Sequence, residues 1–180
     1  PEQVDNLVNE TVNAFGSLDV LVNNAGGAWS RHEKAEDTPY DKWLAAVDSN
    51  LNGAFLCCMA AGKQMLKQQS GRIINVASTA GTKGNPYMLA YSAAKAGMIS
   101  LSNNLAFMWK GDNIYVNVIL PGAIIPRGKT LEEDAPPLEQ RPCAEHVANM
   151  IRFLASPASD QITGEAIPVR AWFKSDRFWQ

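Results

Sequence analysis

Four short apolar runs alternate with helical patterns along this chain, and the alternation restricts its possible folds more than any other feature. The apolar runs cover residues 18–22, 71–77, 114–120 and 165–169. The helical patterns cover residues 2–15, 39–68, 88–109 and 144–154. A strand–helix alternation is typical of a parallel sheet with right-handed crossovers and helices on both faces. We therefore predict an α/β, doubly wound fold with three layers, α/β/α.

Local residue chemistry adds three details to this prediction. The run Leu18–Val22 is almost wholly apolar, so we expect a strand that is buried on both faces. Thr38 followed by Pro39 predicts the start of the long second helix, with Thr38 as its N-cap. Gly53 within that helix costs about 1 kcal/mol relative to alanine, which indicates either a kink or a close packing contact there.

Composition excludes several classes of function. The chain has 180 residues, which suits one domain, and its formal net charge of -2 comes without a basic stripe. Nucleic acid and anionic membrane surfaces are therefore not expected partners. Three cysteines and two histidines give neither a disulfide framework nor a metal-ligand spacing, so we expect no metal and a reduced, cytoplasmic setting. The sequence has no run of 18 apolar residues, so we expect no membrane span.

Small and polar residues follow three of the predicted strands. They are Asn23-Asn24-Ala25-Gly26, Ser78-Thr79-Ala80-Gly81 and Pro121-Gly122. The carboxyl ends of parallel strands lie along one edge of a sheet, and ligands of doubly wound sheets bind just outside that edge. We therefore expect these three segments to border one ligand-binding cleft.

Tyr91 and Lys95 are four positions apart, so they lie about one turn apart on one face of the predicted helix. A nearby ammonium favours a phenolate, which makes a tyrosine usable as a general acid or base. Together with the hydroxyl of Ser78, the pair suits carbonyl reduction: the tyrosine protonates the carbonyl oxygen while a hydride arrives at carbon. Taken alone, Ser78 would more readily be explained as a turn cap, and Asn23 and Asn24 could be ordinary turn residues.

The order and spacing of several motifs carry a resemblance to a known family. The motifs are Asn23-Asn24-Ala25-Gly26, Asp48-Ser49-Asn50-Leu51, Ser78 thirteen residues before Tyr91, Tyr91-x-x-x-Lys95, Asn117-Val118-x-x-Pro121-Gly122, and Phe153-Leu154-Ala155-Ser156 followed by Ile162-Thr163-Gly164. On these motifs the chain resembles the short-chain dehydrogenase/reductase family from residue 4 to about 169. The resemblance implies a Rossmann-like sheet.

The resemblance also implies roles for individual positions. Tyr91 would be the general acid/base, Lys95 would assist it and bind the nicotinamide ribose, Ser78 would polarise the substrate carbonyl, and Asn50 would hold a relay water through its backbone. The implied cofactor-binding residues are Asn23, Asn24, Ala25, Gly26, Tyr91, Lys95, Pro121, Gly122 and Ile124. The implied substrate-binding residues are Ser78, Thr79, Met88 and Tyr91, with Trp29 and the 123–140 loop as further pocket walls.

The chain departs from the family in one large respect, since no glycine-rich phosphate-binding loop occurs in it. We therefore expect residues 1–180 to be the C-terminal two-thirds of a single Rossmann-type domain, with the first strands missing and a divergent tail at about 171–180. Two further departures are Pro126, where the family often has threonine, and Arg170-Ala171-Trp172, where it has Asp-Gly-Gly.

The expected function is an NAD(P)-dependent interconversion of an alcohol and a ketone, similar to 3-oxoacyl reduction or to sugar and polyol oxidation. The residue that selects between NAD and NADP follows the family's second strand and is not in this sequence, so both remain open. Two alternatives also remain: an inactive family member that serves as a structural or assembly partner, and an isomerase or epimerase. The resemblance implies a homodimer or homotetramer formed through helices 39–68 and 88–109.

Overall fold

A parallel sheet of four strands, in the order β1-β2-β3-β4, forms the centre of the part of the chain that the structure describes. This computed structural model describes residues 1–27, 34–83, 85, 87–124 and 142–170. The strands are β1 (Val20–Asn23), β2 (Gly71–Val76), β3 (Ile114–Pro121) and β4 (Ala166–Val169). The predicted parallel sheet is confirmed, and sequential strands are also spatial neighbours.

Within the described ranges, five α-helices connect and cover the strands. They are α1 (Glu2–Phe15), α2 (Tyr40–Val47), α3 (Gly53–Gln68), α4 (Leu89–Trp109) and α5 (Ala144–Leu154). A π-helical turn over Asp48–Asn52 joins α2 to α3, so residues 40–68 form one continuous helical stretch. Single 3-10 turns occur at Ala35–Asp37, Thr79–Gly81, Lys110–Asp112 and Pro157–Ser159.

The two faces of the sheet are covered by different helices. On one face, α3 and α4 pack Met65 and Leu105 against Ile73 of β2, and all three side chains are buried. On the other face, Val147 and Leu154 of α5 pack against Ile74. Successive side chains of a strand point to opposite faces, so the neighbours Ile73 and Ile74 contribute to different layers. This arrangement is the predicted three-layer α/β/α architecture.

The first strand differs from the prediction. Val22 is 38% exposed and only Asn23 of β1 is buried, so the expectation of a strand buried on both faces is wrong. β1 pairs with β2 and lies at the edge of the described sheet. Among the strands, α5 contacts β3 and β2 most, and β1 is covered less completely on that face. α1 has no buried residue, although it packs against α3.

The start of α2 also differs from the prediction. The helix begins at Tyr40, and Pro39 is its N-cap residue with an extended backbone (φ -67°, ψ 139°). The hydroxyl of Thr38 donates to the carbonyl of Lys34 at 3.3 Å, so it closes the preceding 3-10 turn and does not cap α2. The expectation that Thr38 is the N-cap is wrong, because its hydroxyl is hydrogen-bonded within the 3-10 turn that ends at this residue.

The helical stretch Tyr40–Gln68 is long and apolar enough to cross a membrane, with a mean hydropathy of 1.3 over its best window. Length and composition of this kind are also found in core helices of globular folds. Here Cys58, Ala61 and Met65 are fully buried against the sheet. One side of the stretch therefore packs against the sheet, and 33% of its most apolar window is buried.

Close packing within this helical stretch occurs at Gly62 and not at Gly53. A Cβ atom on Gly62 would lie 2.8 Å from Cζ2 of Trp109, whereas a Cβ on Gly53 would lie 3.5 Å from the carbonyl oxygen of Asp48, an ordinary contact. The irregularity expected near Gly53 is the π-helical turn that ends just before it. Gly62 is therefore the glycine that lets α3 approach α4.

We predict opposite effects of the same substitution at these two glycines. Gly62→Ala should lower the free energy of unfolding by about 1–3 kcal/mol, because the indole of Trp109 must shift to admit the methyl group. Gly53→Ala should raise it by up to about 1 kcal/mol, because alanine favours the helix and meets no obstacle. Urea denaturation followed by far-UV circular dichroism measures both. Equal effects of the two substitutions would contradict the packing described here.

Candidate active site

A cleft of about 560 Å³ opens at the carboxyl ends of the strands. The segments after β1, β2 and β3, the first turns of α4 and one side of α5 form its walls. Eight of the predicted site residues line it: Asn24, Gly26, Ser78, Tyr91, Lys95, Pro121, Gly122 and Ile124. Residues that are far apart in the sequence thus meet at the sheet edge where the strand order predicted a ligand cleft.

Tyr91 and Lys95 lie one turn apart on α4, as their spacing predicts. The Nζ atom of Lys95 is 5.6 Å from the centroid of the Tyr91 ring. This distance is within the range of about 6 Å over which a cation is attracted by an aromatic face. The phenol ring is partly buried, and it shares the cleft wall with Ser78. A cation and a phenol are therefore held together beside a serine hydroxyl.

The ammonium of Lys95 is unusually deep for a lysine, with only 3% of the residue exposed. Its Nζ donates a hydrogen bond of 2.8 Å to the carbonyl oxygen of Val76, the last residue of β2. Burial penalises the charged form and lowers the pKa of Lys95 from 10.5 to about 8. The charge of this side chain can therefore change within an ordinary assay range of pH.

Ser78 follows β2 and caps the 3-10 turn Thr79–Gly81. Its Oγ accepts a hydrogen bond of 3.1 Å from the backbone N–H of Ala80. Its hydroxyl also lies 3.4 Å from the carbonyl oxygen of Pro121, which is long for a hydroxyl donor. The structural role of a turn cap is therefore present, yet the hydroxyl hydrogen is held weakly and can turn towards a ligand in the cleft.

Asn50 lies in the π-helical turn, and its side chain ties that turn to the segment after β1. The residue is fully buried. Its Oδ1 accepts from the N–H of Gly27 at 3.1 Å, while its Nδ2 donates to the carbonyl oxygens of Gly27 and Ala46, both at 2.9 Å. π-Helical turns are frequent at functional sites. The described contacts involve the side chain, so the predicted backbone relay through a water stays a prediction.

Gly26 fits this clamp only because it has no side chain. Its φ of 151° lies in a region that favours glycine, and a Cβ atom there would lie 3.2 Å from Cγ of Asn50 and 3.5 Å from Nζ of Lys95. The loop after β1 therefore passes directly over the buried amide and ammonium. The absence of a side chain lets the loop lie directly against the Asn50 amide.

Five predicted site residues lie away from the cleft walls. Asn23 is buried, and its Nδ2 donates to Oδ1 of Asn75 at 2.8 Å, so it joins strand β1 to β2. Asn50 lies behind Gly26, while Ala25, Thr79 and Met88 do not line the cleft. Trp29, residues 125–140 of the predicted lid, Pro126 and the 171–180 tail lie outside the described residues.

The wall formed by α5 was not predicted. Ala144, Val147, Ala148 and Ile151 line the cleft opposite Tyr91 and Lys95. Their spacing of three, four and seven residues marks one face of a helix, so the sequence did contain a signal. That signal does not say which end of the sheet the face covers, and the packing of α5 decides this.

Comparison with known proteins gives a consistent result. A sequence profile described as Enoyl-(Acyl carrier protein) reductase matches residues 1–171. The chain is 42% identical over 174 residues to a 3-oxoacyl-[acyl-carrier-protein] reductase of Synechocystis sp., covering 93% of this chain and 70% of that protein.

Solved structures of the same fold superpose closely. The structure described as ElxO with NADP bound has a TM-score of 0.87 at 31% identity, covering 93% of this chain and 72% of that one. The NAD+-bound xylitol dehydrogenase has a TM-score of 0.86 at 30% identity, covering 95% and 75%. With the sheet order and the matched profile, these similarities show that the chain belongs to the short-chain dehydrogenase/reductase family and is of the oxidoreductase type.

Proposed function

We propose that this protein interconverts an alcohol and a ketone by hydride transfer with NAD or NADP. The observation that carries the proposal is the position of Ser78, Tyr91 and Lys95 on adjoining walls of one cleft at the carboxyl edge of the sheet. A hydroxyl, a phenol and a buried ammonium are the groups that a developing alkoxide needs: two hydrogen-bond donors and a cation to bias the proton transfer.

The residues of the cleft fit a nicotinamide dinucleotide. Gly26 lines the cleft beside Lys95, and the Pro121-Gly122 turn lines it as well. The Lys95 ammonium and the Tyr91 hydroxyl are donors suited to ribose hydroxyls. A bound nicotinamide would supply or accept the hydride. The relatives whose structures carry NADP and NAD+ support both cofactors equally.

Within this proposal each side chain has one task in the reducing direction. Tyr91 gives its hydroxyl proton to the substrate oxygen. The Ser78 hydroxyl turns from its long contact with Pro121 and donates to the same oxygen. Lys95, charged below a pH of about 8, favours the phenolate that Tyr91 becomes. Asn50 holds the Gly27 segment in place, and its backbone relay through a water is part of the proposal.

The proposed substrate is a small or medium carbonyl compound or alcohol. The names of the relatives include a 3-oxoacyl-[acyl-carrier-protein] reductase and a xylitol dehydrogenase, which supports either an acyl or a polyol substrate. The side chains of α5 that face the cleft are alanine, valine and isoleucine, which suits an apolar portion of a ligand. Thr79 and Met88 remain proposed substrate contacts. A cytoplasmic location remains part of the proposal.

We also propose that residues 1–180 are part of a larger Rossmann-type domain. The free edge of β1 in the described sheet and the exposed Phe15 of α1 at 81% support a further strand and helix layer against this side. The same surface supports the second candidate, an inactive member that acts as a structural partner. The enzyme and the inactive structural partner differ in whether the chain binds the cofactor once its sheet is complete.

A symmetric assembly is proposed for the helical face of α2–α4. Leu44 and Phe55 on α2 and α3, and Phe107 and Met108 on α4, are exposed by 42%, 44%, 72% and 67%. Large apolar side chains exposed on adjacent helices are typical of subunit contacts. A homodimer or homotetramer formed through these helices would bury them.

Replacement of the proposed acid/base tests the mechanism. In the full-length protein, Tyr91→Phe should lower turnover by roughly 10²–10⁴-fold, because it removes the proton donor and keeps the ring. Tyr115→Phe is the matched control, since the Tyr115 hydroxyl bonds Gln161 outside the cleft, and its turnover should be unchanged. Steady-state ketone reduction, followed by cofactor absorbance, measures both. Near-normal turnover of Tyr91→Phe would exclude the assigned role.

The pKa of Lys95 predicts a pH dependence. The ammonium is charged below about 8 and neutral above it. Since the pH profile of kcat/KM reports groups of the free enzyme, kcat/KM for ketone reduction should fall as pH rises through about 8. Lys95→Met should lower kcat/KM and remove this limb. A profile that stays flat from about pH 6 to 10 would contradict the proposed role of the charge.

Cofactor binding separates the enzyme from the structural partner. The 180-residue chain alone should bind NADPH and NADH weakly, because it has no glycine-rich loop to hold the pyrophosphate. The same chain extended by a segment with such a loop should bind one of them tightly in calorimetry. Tight binding to residues 1–180 alone would overturn the larger-domain proposal. No binding to the extended chain would favour the structural partner.

A further inference from the structure

Cys143 and His146 form a thiol–imidazole pair at the start of α5. The Sγ atom of Cys143 lies 3.0 Å from Nδ1 of His146. Neither residue has a part in the hydride-transfer chemistry proposed above. A thiol within hydrogen-bond distance of an imidazole is the arrangement by which a base activates a sulfur nucleophile.

The backbone sets the protonation of the imidazole. The N–H of Cys143 donates to Nδ1 of His146 at 3.1 Å, so this ring nitrogen is an acceptor and carries no hydrogen in that contact. The thiol lies 3.0 Å from the same nitrogen and competes with the backbone N–H for its single lone pair. Transfer of the thiol proton to Nδ1 therefore replaces the backbone contact.

The helix stabilises negative charge on the sulfur. Cys143 is the N-cap of α5, and its side chain accepts from the backbone N–H of His146 in a capping box. Donors at a helix N-terminus and the helix dipole both favour an anion there. Glu145 is the charged residue of the same turn, and its carboxylate offsets part of this field. The cap and the imidazole act on the same atom.

The other two cysteines lack these features. Burial raises the pKa of Cys57, and burial also raises the pKa of Cys58 to about 11. Cys58 is fully buried and sits 3.7 Å from Oδ1 of Asn75. Both sulfurs are thus kept as thiols, while Cys143 is partly exposed beside a base. The chain therefore contains two internal controls for the reactivity of the third cysteine.

We propose that Cys143 is a reactive thiol and a site of oxidation by hydroperoxides, with His146 as its base. His146 takes the thiol proton, and the sulfur lone pair attacks one peroxide oxygen. The S–O bond forms as the O–O bond breaks, and the leaving hydroxide takes the proton from the imidazolium to become water. Sulfur is oxidised by two electrons to a sulfenic acid, and the peroxide is reduced. The next residue, Ala144, lines the cleft.

A direct test needs no variant. The reduced protein is treated at pH 7 with hydrogen peroxide in the presence of dimedone, which traps sulfenic acids, and its peptides are analysed by mass spectrometry. We expect the adduct on Cys143 before any appears on Cys57 or Cys58. An adduct that forms at equal rates on all three cysteines, or that is absent from Cys143, would overturn the proposal.

The base is tested by replacement of His146. His146→Asn should slow the alkylation of Cys143 by iodoacetamide at pH 7 by about tenfold, because an unassisted thiol is only a few per cent ionised there. The rate should recover towards pH 9–10, where a free thiol ionises without help, at about 8.5. Glu145→Gln is the control that keeps the imidazole, and it should not slow the reaction.

The alkylation rate of Cys57, measured in the same samples, distinguishes a lost base from a lost fold, since unfolding would make Cys57 react faster. Cys143→Ser retains an N-cap hydroxyl and should fold. Position 143 of this variant should carry neither the dimedone adduct nor the iodoacetamide label. Unchanged alkylation of Cys143 in His146→Asn would show that the imidazole is not its base and would overturn this part of the proposal.

Discussion

The buried ammonium of Lys95 is the constraint on which the arrangement of the cleft depends. A charge with 3% of its residue exposed needs partners, and the carbonyl oxygen of Val76 at 2.8 Å is one of them. Because Val76 ends β2 and Lys95 lies on α4, this bond joins the helix to the carboxyl edge of the sheet. It also keeps the cation 5.6 Å from the Tyr91 ring, and burial gives it a pKa that an enzyme can use.

The clamp around Asn50 completes this arrangement from the other side. Its amide is hydrogen-bonded to both the N–H and the carbonyl oxygen of Gly27. Gly26 lies against the same amide, where a side chain would not fit. A fully buried amide whose oxygen and nitrogen are both hydrogen-bonded is specific in geometry, because a displacement leaves a polar group unpaired. The π-helical turn brings Asn50 to the position from which it can bridge two elements. The first strand, the helical stretch 40–68 and α4 thus meet at one point.

Sequence reasoning was most reliable where a pattern reports a local cause. The alternation of apolar runs and helical patterns predicted the parallel sheet, and α5 has the bounds that were predicted from its periodicity. Sequence reasoning failed where the burial or the hydrogen bond of a residue depends on a neighbouring element. Leu18–Val22 has the composition of a strand buried on both faces, but Val22 is 38% exposed. Thr38 has the chemistry of an N-cap, but the preceding turn uses its hydroxyl.

The sequence by itself determined the fold class and the order of the elements, and it predicted the candidate residues of the site. Periodicity, turn residues and motif spacing are properties of short segments, and they are visible without contacts. Only the tertiary structure decided that Asn23 bonds Asn75 inside the core and that α5 forms a wall of the cleft. Those outcomes depend on which surfaces pack together, because burial and hydrogen bonding, and not residue type, set what a side chain can do.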